Sequence, residues 1–275
     1  MEFIGPLLAK MAVTAALVVS ASVAAERSGP FLGGIIISLP VSAGPGFVFL
    51  ALKSDDAFVA ASALNGLASQ GATCAFILAF TQLATRINPL AALLAGSLAW
   101  LAVALAIARW EPGFLPALAF ALACFAVAIP LAQRPDAAAD PAKRRAGFPS
   151  LLGRALLTGT LIASVVTASE LLGSMWTGLL LCYPIALTTL SLILILRHGG
   201  ALAAATLART LPPLVVFPGF MVAVHLLALP VGSGWALVAA FAFSIIGVAA
   251  IGAAGHLIGQ RRAARRNSLV PAAED

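Results

Sequence analysis

The sequence predicts an all-α fold: a polytopic membrane bundle of about nine transmembrane helices, built as two inverted repeats offset by 144 residues. Three observations carry that prediction. Hydrophobic residues make up 61% of the chain and charged residues 9%, with a mean hydropathy of +1.06. A soluble domain covers itself with about a quarter charged residues. The apolar runs last about 17–25 residues, the length of a bilayer-crossing helix, rather than alternating in the short segments of a barrel. Finally, residues 7–84 lie on residues 151–228 without a gap.

The matched pairs include Lys10 with Arg154, Glu26 with Glu170, Gly29 with Gly173, Gly34 with Gly178, Pro40 with Pro184 and Lys53 with Arg197. Matches between Ala and Leu are cheap in such a sequence; the rare charges, glycines and prolines carry the repeat.

Apolar segments run over 6–25, 29–52, 68–86, 90–109 and 113–132, then 151–169, 171–196, 211–229 and 233–259. Lys10 followed by a small-residue-rich apolar run imitates a signal peptide. Its match to 151–169, in mid-chain, marks residues 1–25 as a retained span. Segments 55–67 and 199–210 are rich in small residues and follow charged turns, and each reads as a short extra span or an amphipathic helical lead-in to the next span. The Pro212–Pro213 pair separates 199–210, as a surface helix, from the span that follows. The domains are then repeat 1 (1–110), a connecting transmembrane helix (111–132), a linker (133–149), repeat 2 (150–259) and a basic tail (260–275).

Charge fixes the orientation. Half of the 16 basic residues sit in two segments, Arg134 to Arg145 and Arg261 to Arg266. Such clusters mark cytoplasmic loops, so linker and tail are expected in the cytoplasm of a bacterium with the chain in its inner (plasma) membrane. Five crossings then separate the starts of the copies, which turns the second upside down. Eleven spans with parallel repeats is the competing count; it leaves the RRAARR tail outside.

The candidate site residues lie on the repeated motif E-x-x-G-x-x-x-x-G-x-x-x-x-x-P. Its glycines let another helix approach closely, and its prolines Pro40 and Pro184 free a carbonyl in mid-span. Ser38 and Ser42 flank the first break, and Tyr183, the one tyrosine of the chain, precedes the second. Paired broken helices mark a transporter's binding site; a pair of structural kinks is the bland reading. Glu26 and Glu170 open the second span of each copy. A buried acid costs about 2.5–3.5 kcal/mol on insertion scales and suits proton binding and release; at a span edge the same acid simply caps its helix. Lys10 and Arg154 read as snorkelling anchors. His225 stands within a span, as a proton relay or a hydrogen-bonded structural residue.

Cys74, Cys124 and Cys182 read as small apolar side chains, without the spacing of metal ligands or a disulfide framework. No enzyme motif, cofactor signature or ATP-binding loop is present in the sequence. The net charge of +6 is loop charge, with no nucleic-acid role expected. The expected partners are the lipid bilayer and a small-molecule solute; a homo-oligomer is compatible with the sequence.

The pattern Ser28-Gly29…Gly34…Pro40, with a small-residue helix leading into the third span, resembles the GlpM-like four-span bacterial inner-membrane proteins. The resemblance covers each repeat separately, 7–109 and 151–259, and implies a fused, inverted pair of units that elsewhere occur singly. The paired glutamates and the size also look like the drug/metabolite transporter superfamily, whose repeats have about five spans each. The function expected is a secondary, proton-coupled or uncoupled, transporter of a small organic solute. The alternative is a non-transporting scaffold, assembly or lipid-associated factor.

Overall fold

The computed structural model describes residues 43–132, 160 and 162–268, with 251–268 described as helix only. Among them the helices are α1 (Ala43–Lys53), α2 (Asp56–Leu83), α3 (Pro89–Trp110), α4 (Phe114–Leu131), α5 (Ser169–Leu181), α6 (Ile185–His198), α7 (Gly200–Leu214), α8 (Val216–Val231) and α9 (Ser233–Ser268). A helical stretch over 162–167 leads into α5.

Local chemistry sets the boundaries. The Asp55 carboxylate accepts the Phe58 amide at 2.7 Å and starts α2, as a side-chain acceptor does at a helix N-terminus. Asn88 caps α3 through the amides of Leu90 and Ala91, with Pro89 in the first turn where its missing N–H costs nothing. Glu111 closes α3 in the left-handed region, at φ 48°, and Pro112 follows it. Pro184 stands between α5 and α6, which meet at 46°.

Four helices are long and apolar enough to cross a membrane, and the bent pairs α5–α6 and α7–α8 bring the number to six among the described residues. The chain is a helical, multi-pass membrane protein. The expected spans 6–25, most of 151–169 and the first part of 29–52 lie outside the described residues, as do the linker 133–149 and the end of the tail.

Two segments differ from expectation. Residues 56–67 are not a separate span: they are helical and run directly into the expected span from 68, without an amphipathic face, as the first part of α2, a single helix of 28 residues, about 42 Å long at 1.5 Å per residue. Residues 200–214 are no surface helix: Leu202, Ala203, Ala204, Leu207, Ala208 and Leu211 are buried. Pro212 and Pro213 bend this segment into α8 by 42° without expelling it from the bundle.

Helix α2 is the hub, and α3, α4, α5, α7 and α8 all pack on it. Small residues make this possible, because backbones approach closely only where side chains are short. At Gly178 a methyl group would collide with the Ser62 carbonyl, so α5 crosses α2 there in direct backbone contact. Further along the same crossing Gly66 faces Cys182, which makes α2 and α5 parallel.

The pairing of α2 with α7–α8 is antiparallel. Gly200, opening α7, abuts the carbonyl of Ala84 just past the end of α2. Toward the other end His225 Nδ1 lies 2.9 Å from the Ala60 carbonyl, and the Ser233 amide donates to Asp56 Oδ1 at 2.8 Å. The boundaries of these elements recur at the sequence offset: α2 and α7 start at Asp56 and Gly200, and α3 and α9 at Pro89 and Ser233. Packing partners exchange as well, since α3 lies against α6 while α9 lies against α1. The matched phenylalanines Phe76 and Phe220 are both fully buried.

Candidate binding seam and the charged end

The four carboxylates among the described residues, Asp55, Asp56, Glu111 and Glu170, gather at one end of the bundle. Arg86 and Arg197 lie at the other, where α2 and α6 end.

At the acidic end Lys53, in the last turn of α1, reaches across to the segment before α5. Its Nζ donates to the carbonyls of Val166 and Thr167 at 3.1 and 2.9 Å and to Ser169 Oγ at 3.4 Å. It also lies 3.5 Å from a carboxylate oxygen of Glu170. An ammonium at the last carbonyls of a helix satisfies acceptors that lack an intrahelical partner and faces the negative end of the helix dipole. The Glu170 side chain is 80% exposed and that of Lys53 26%, so the ion pair is solvated; the contact to the Val166 carbonyl is part-buried and that to the Thr167 carbonyl exposed.

Glu170 is followed by Gly173, whose backbone at φ 69°, ψ 169° breaks the first turn of α5. Nothing lies near where its Cβ would be, so this glycine serves backbone conformation, in contrast to the close approach at Gly178.

Deeper in the bundle a polar seam runs between α2, α3 and the α5–α6 break. Ser62 and Ser69 are fully buried on α2, Thr177 is fully buried on α5 beside the Gly178 crossing, and Trp100 on α3 is 3% exposed. Ser62 Oγ, Ser69 Oγ, Thr177 Oγ1 and Trp100 Nε1 have no hydrogen-bond partner. A buried polar group left without a partner costs about 1–3 kcal/mol.

Tyr183 joins this seam. Its ring meets Trp100 edge to face at 4.9 Å, and its hydroxyl lies 3.2 Å from Ser97 Oγ and 3.4 Å from Thr188 Oγ1. The Ser97 hydroxyl hydrogen-bonds the Leu93 carbonyl and that of Thr188 the Pro184 carbonyl. Either hydroxyl of the Ser97–Tyr183 contact can be the donor. Pro184 is buried at the break itself.

Of the residues singled out from sequence, the structure brings Tyr183 and Pro184 together at this seam. It places Glu170 apart, at the acidic rim. His225 is held by the Ala60 carbonyl and stacks on Phe114 at 5.3 Å. Glu26, Ser38, Pro40 and Ser42 lie outside the described residues. Asn65 and Gln70 turn their amides back to the carbonyls of Ala61 and Gly66 on their own helix. Cys74 and Cys182 are buried and Cys124 half-buried, all as free thiols. Sequence reasoning did not single out Ser62, Ser69, Thr177 or Trp100. The available signal was weak: Ser62, Asn65, Ser69 and Thr73 recur at helical spacing on one face of an otherwise apolar α2.

No family model, curated protein or solved structure matches the chain.

Proposed function

We propose that the chain is a secondary transporter of a small organic solute, formed by two inverted copies of one unit. The solute binds between the Pro184 break and its counterpart in the first copy, the stretch around Ser38, Pro40 and Ser42 that the repeat assigns. The observation that carries this reading is the antiparallel packing of α2 on α7–α8, with boundaries at the repeat offset. Two copies of opposite orientation around a broken mid-bilayer helix supply two equivalent conformations, open to one side or the other. The buried hydroxyls beside the break give such a site groups to bind with. At the acidic end Lys53 ties the first copy to the second, and opening that end requires its carbonyl contacts to break. The basic end, toward which α9 carries Arg261 to Arg266, faces the cytoplasm of a bacterial cell and the acidic end faces outward.

The test is a metabolite profile of cells and medium, comparing strains that lack the protein, express it, or express Lys53→Met at matched membrane levels. A compound class should move between cells and medium with the wild type and move less with the variant. Identical profiles in all strains would refute transport and leave the scaffold reading. Reporter fusions after Asp56 and after His198 should fall on opposite sides of the membrane; the same side for both would sink the inversion.

A further inference from the structure

We infer that the solute is an anion, a carboxylate or phosphate compound gathered at the basic end, where α9 carries its arginines on the face that it packs on the bundle; this rests on the transporter reading above. The carrying observation is the register of α9. The helix runs unbroken from Ser233 to Ser268 and includes Arg261, Arg262, Arg265 and Arg266. Eighteen residues of α-helix make about five full turns, so positions that far apart share a face. Shifted back by that interval, the four arginines fall on Phe243, Ser244, Gly247 and Val248. These positions pack on the bundle: Phe243 lies against Gly219 of α8, Gly247 faces Val216, and Ser244 and Val248 are buried. The opposite face carries Ile245 and Ile246, both exposed, and the same shift takes them to Ala263 and Ala264.

Height agrees with register. Ser233 is tied to Asp56, the first residue of α2, and both helices run toward the basic end. Helix α2 spans 28 residues and ends at Leu83. The same length of α9, about 42 Å, ends at Gln260, immediately before the first arginine. Arg86 and Arg197 are exposed at this end as well, brought together by the contact of Gly200 with the Ala84 carbonyl. A topological signal needs only the number of positive charges in a loop and has no preference for a face. Arginines that served lipid headgroups would lie on the face turned to lipid, where Ala263 and Ala264 stand instead. Grouped on the inward face, they set up a positive field over the end of the bundle, which concentrates anions and speeds their arrival. The planar fork of arginine also matches the paired oxygens of a carboxylate or phosphate. At the far end Asp55, Asp56, Glu111 and Glu170 carry the opposite sign, so an anion loads at the basic end.

The experiment loads proteoliposomes of the full chain with the deproteinised small-molecule extract of bacterial cells and follows what leaves by mass spectrometry, against protein-free liposomes. Compounds that leave faster with the protein should be carboxylates or phosphates. A quadruple variant, Arg261→Gln, Arg262→Gln, Arg265→Gln and Arg266→Gln, should slow their exit about tenfold at equal reconstituted amounts. Raising the salt from about 20 to about 200 mM should slow the wild type much more than this variant. A face-exchange variant adds Gln260→Arg, Ala263→Arg, Ala264→Arg and Asn267→Arg to the same four changes. It restores the charge of the segment on the other face, and it should stay as slow as the quadruple variant. Wild-type rates in the face-exchange variant would mean that only the number of charges matters and would overturn the inference. A loss in the quadruple variant that is seen in vesicles containing phosphatidylglycerol and absent from vesicles of phosphatidylcholine alone would assign the arginines to lipid headgroups, and would overturn it too. Exit of neutral or cationic compounds alone would overturn the inference while leaving transport standing. Exit of no compound would refute the transporter reading and the inference with it.

Discussion

Lys53 and Glu170 are predicted to contribute very unequally to stability, although they form one ion pair. The pair is 3.5 Å long with the carboxylate side chain 80% exposed, and ion pairs of this kind are worth about 0.2–1 kcal/mol. Glu170→Gln should therefore cost less than about 1 kcal/mol. Lys53 has additional work. Its ammonium supplies hydrogen bonds at 2.9 and 3.1 Å to two carbonyls at the end of the 162–167 helix, where no backbone amide of that helix can reach. Hydrogen bonds to a charged group are worth about 1.5–3 kcal/mol. One of the two is exposed, so Lys53→Met is expected to cost about 2–3 kcal/mol in all. The assay is thermal melting of the purified chain in detergent for wild type, each single variant and the double variant. The lysine variant should show most of the loss, and the coupling between the two sites should stay below about 1 kcal/mol. Equal losses for Lys53→Met and Glu170→Gln, or a coupling as large as the lysine effect, would mean that the carboxylate holds the lysine and that the carbonyl contacts do not matter.

Three further outcomes follow from the geometry. Gly178→Ala should destabilise strongly, by about 2 kcal/mol or more, because the new methyl meets the Ser62 backbone; Gly66→Ala meets the flexible ends of Cys182 and Met221 and should cost less. Equal tolerance in melting or membrane yield would contradict the backbone crossing. Glu111 holds a left-handed conformation that costs an ordinary residue about 1–2 kcal/mol, so Glu111→Gly should raise the melting temperature, and a fall would show that the glutamate side chain has a stabilising role. If the copies are equivalent, the exchange that carries Lys53 onto Arg197 carries Glu170 onto Glu26; Arg197→Glu should then impair function and Glu26→Arg should restore part of it, and absence of any rescue would count against equivalent copies.

Much of the scaffold was legible because it depends on composition and on rare residues. The apolar content required a membrane bundle, Pro184 marked the bend between α5 and α6, and the charged turns around Lys53 and His198 marked helix ends. Helix α7 was misread because it is rich in small residues, with alanine at five of its 15 positions, and ends in the Pro212–Pro213 pair. Low apolar bulk suggests a surface helix, yet alanine is also the residue that lets helices pack closely, and Ala203, Ala204 and Ala208 are each fully buried. The polar seam was illegible for a different reason. Serine and threonine in apolar helices usually bond the carbonyl one turn back, as Ser97, Ser191, Thr206 and Ser244 do here. Ser62, Ser69 and Thr177 do not. Sequence gives these residues the same letters and the same apolar setting, and the distinction arises only once α5 has crossed α2.

Helix α4 has no counterpart in the second copy, and that asymmetry is what the proposed inversion requires. The first copy reaches the acidic end at Trp110, where Glu111 and Pro112 turn the chain. A second copy begun there would have its elements parallel to the first, and α7–α8 could not lie antiparallel on α2. The 18 residues of α4 carry the chain back across the bundle, so that Leu131 ends beside Gln82, whose amide donates to its carbonyl at 2.6 Å. In the proposed inversion the second copy starts from that basic end. Under the proposed inversion, this extra helix, which packs on α2 and α7, is the element that turns a tandem repeat into an antiparallel one. Removing 113–132 while keeping both copies should therefore put the segment after His198 on the same side as that after Asp56, with loss of the Asp56–Ser233 and Ala60–His225 contacts.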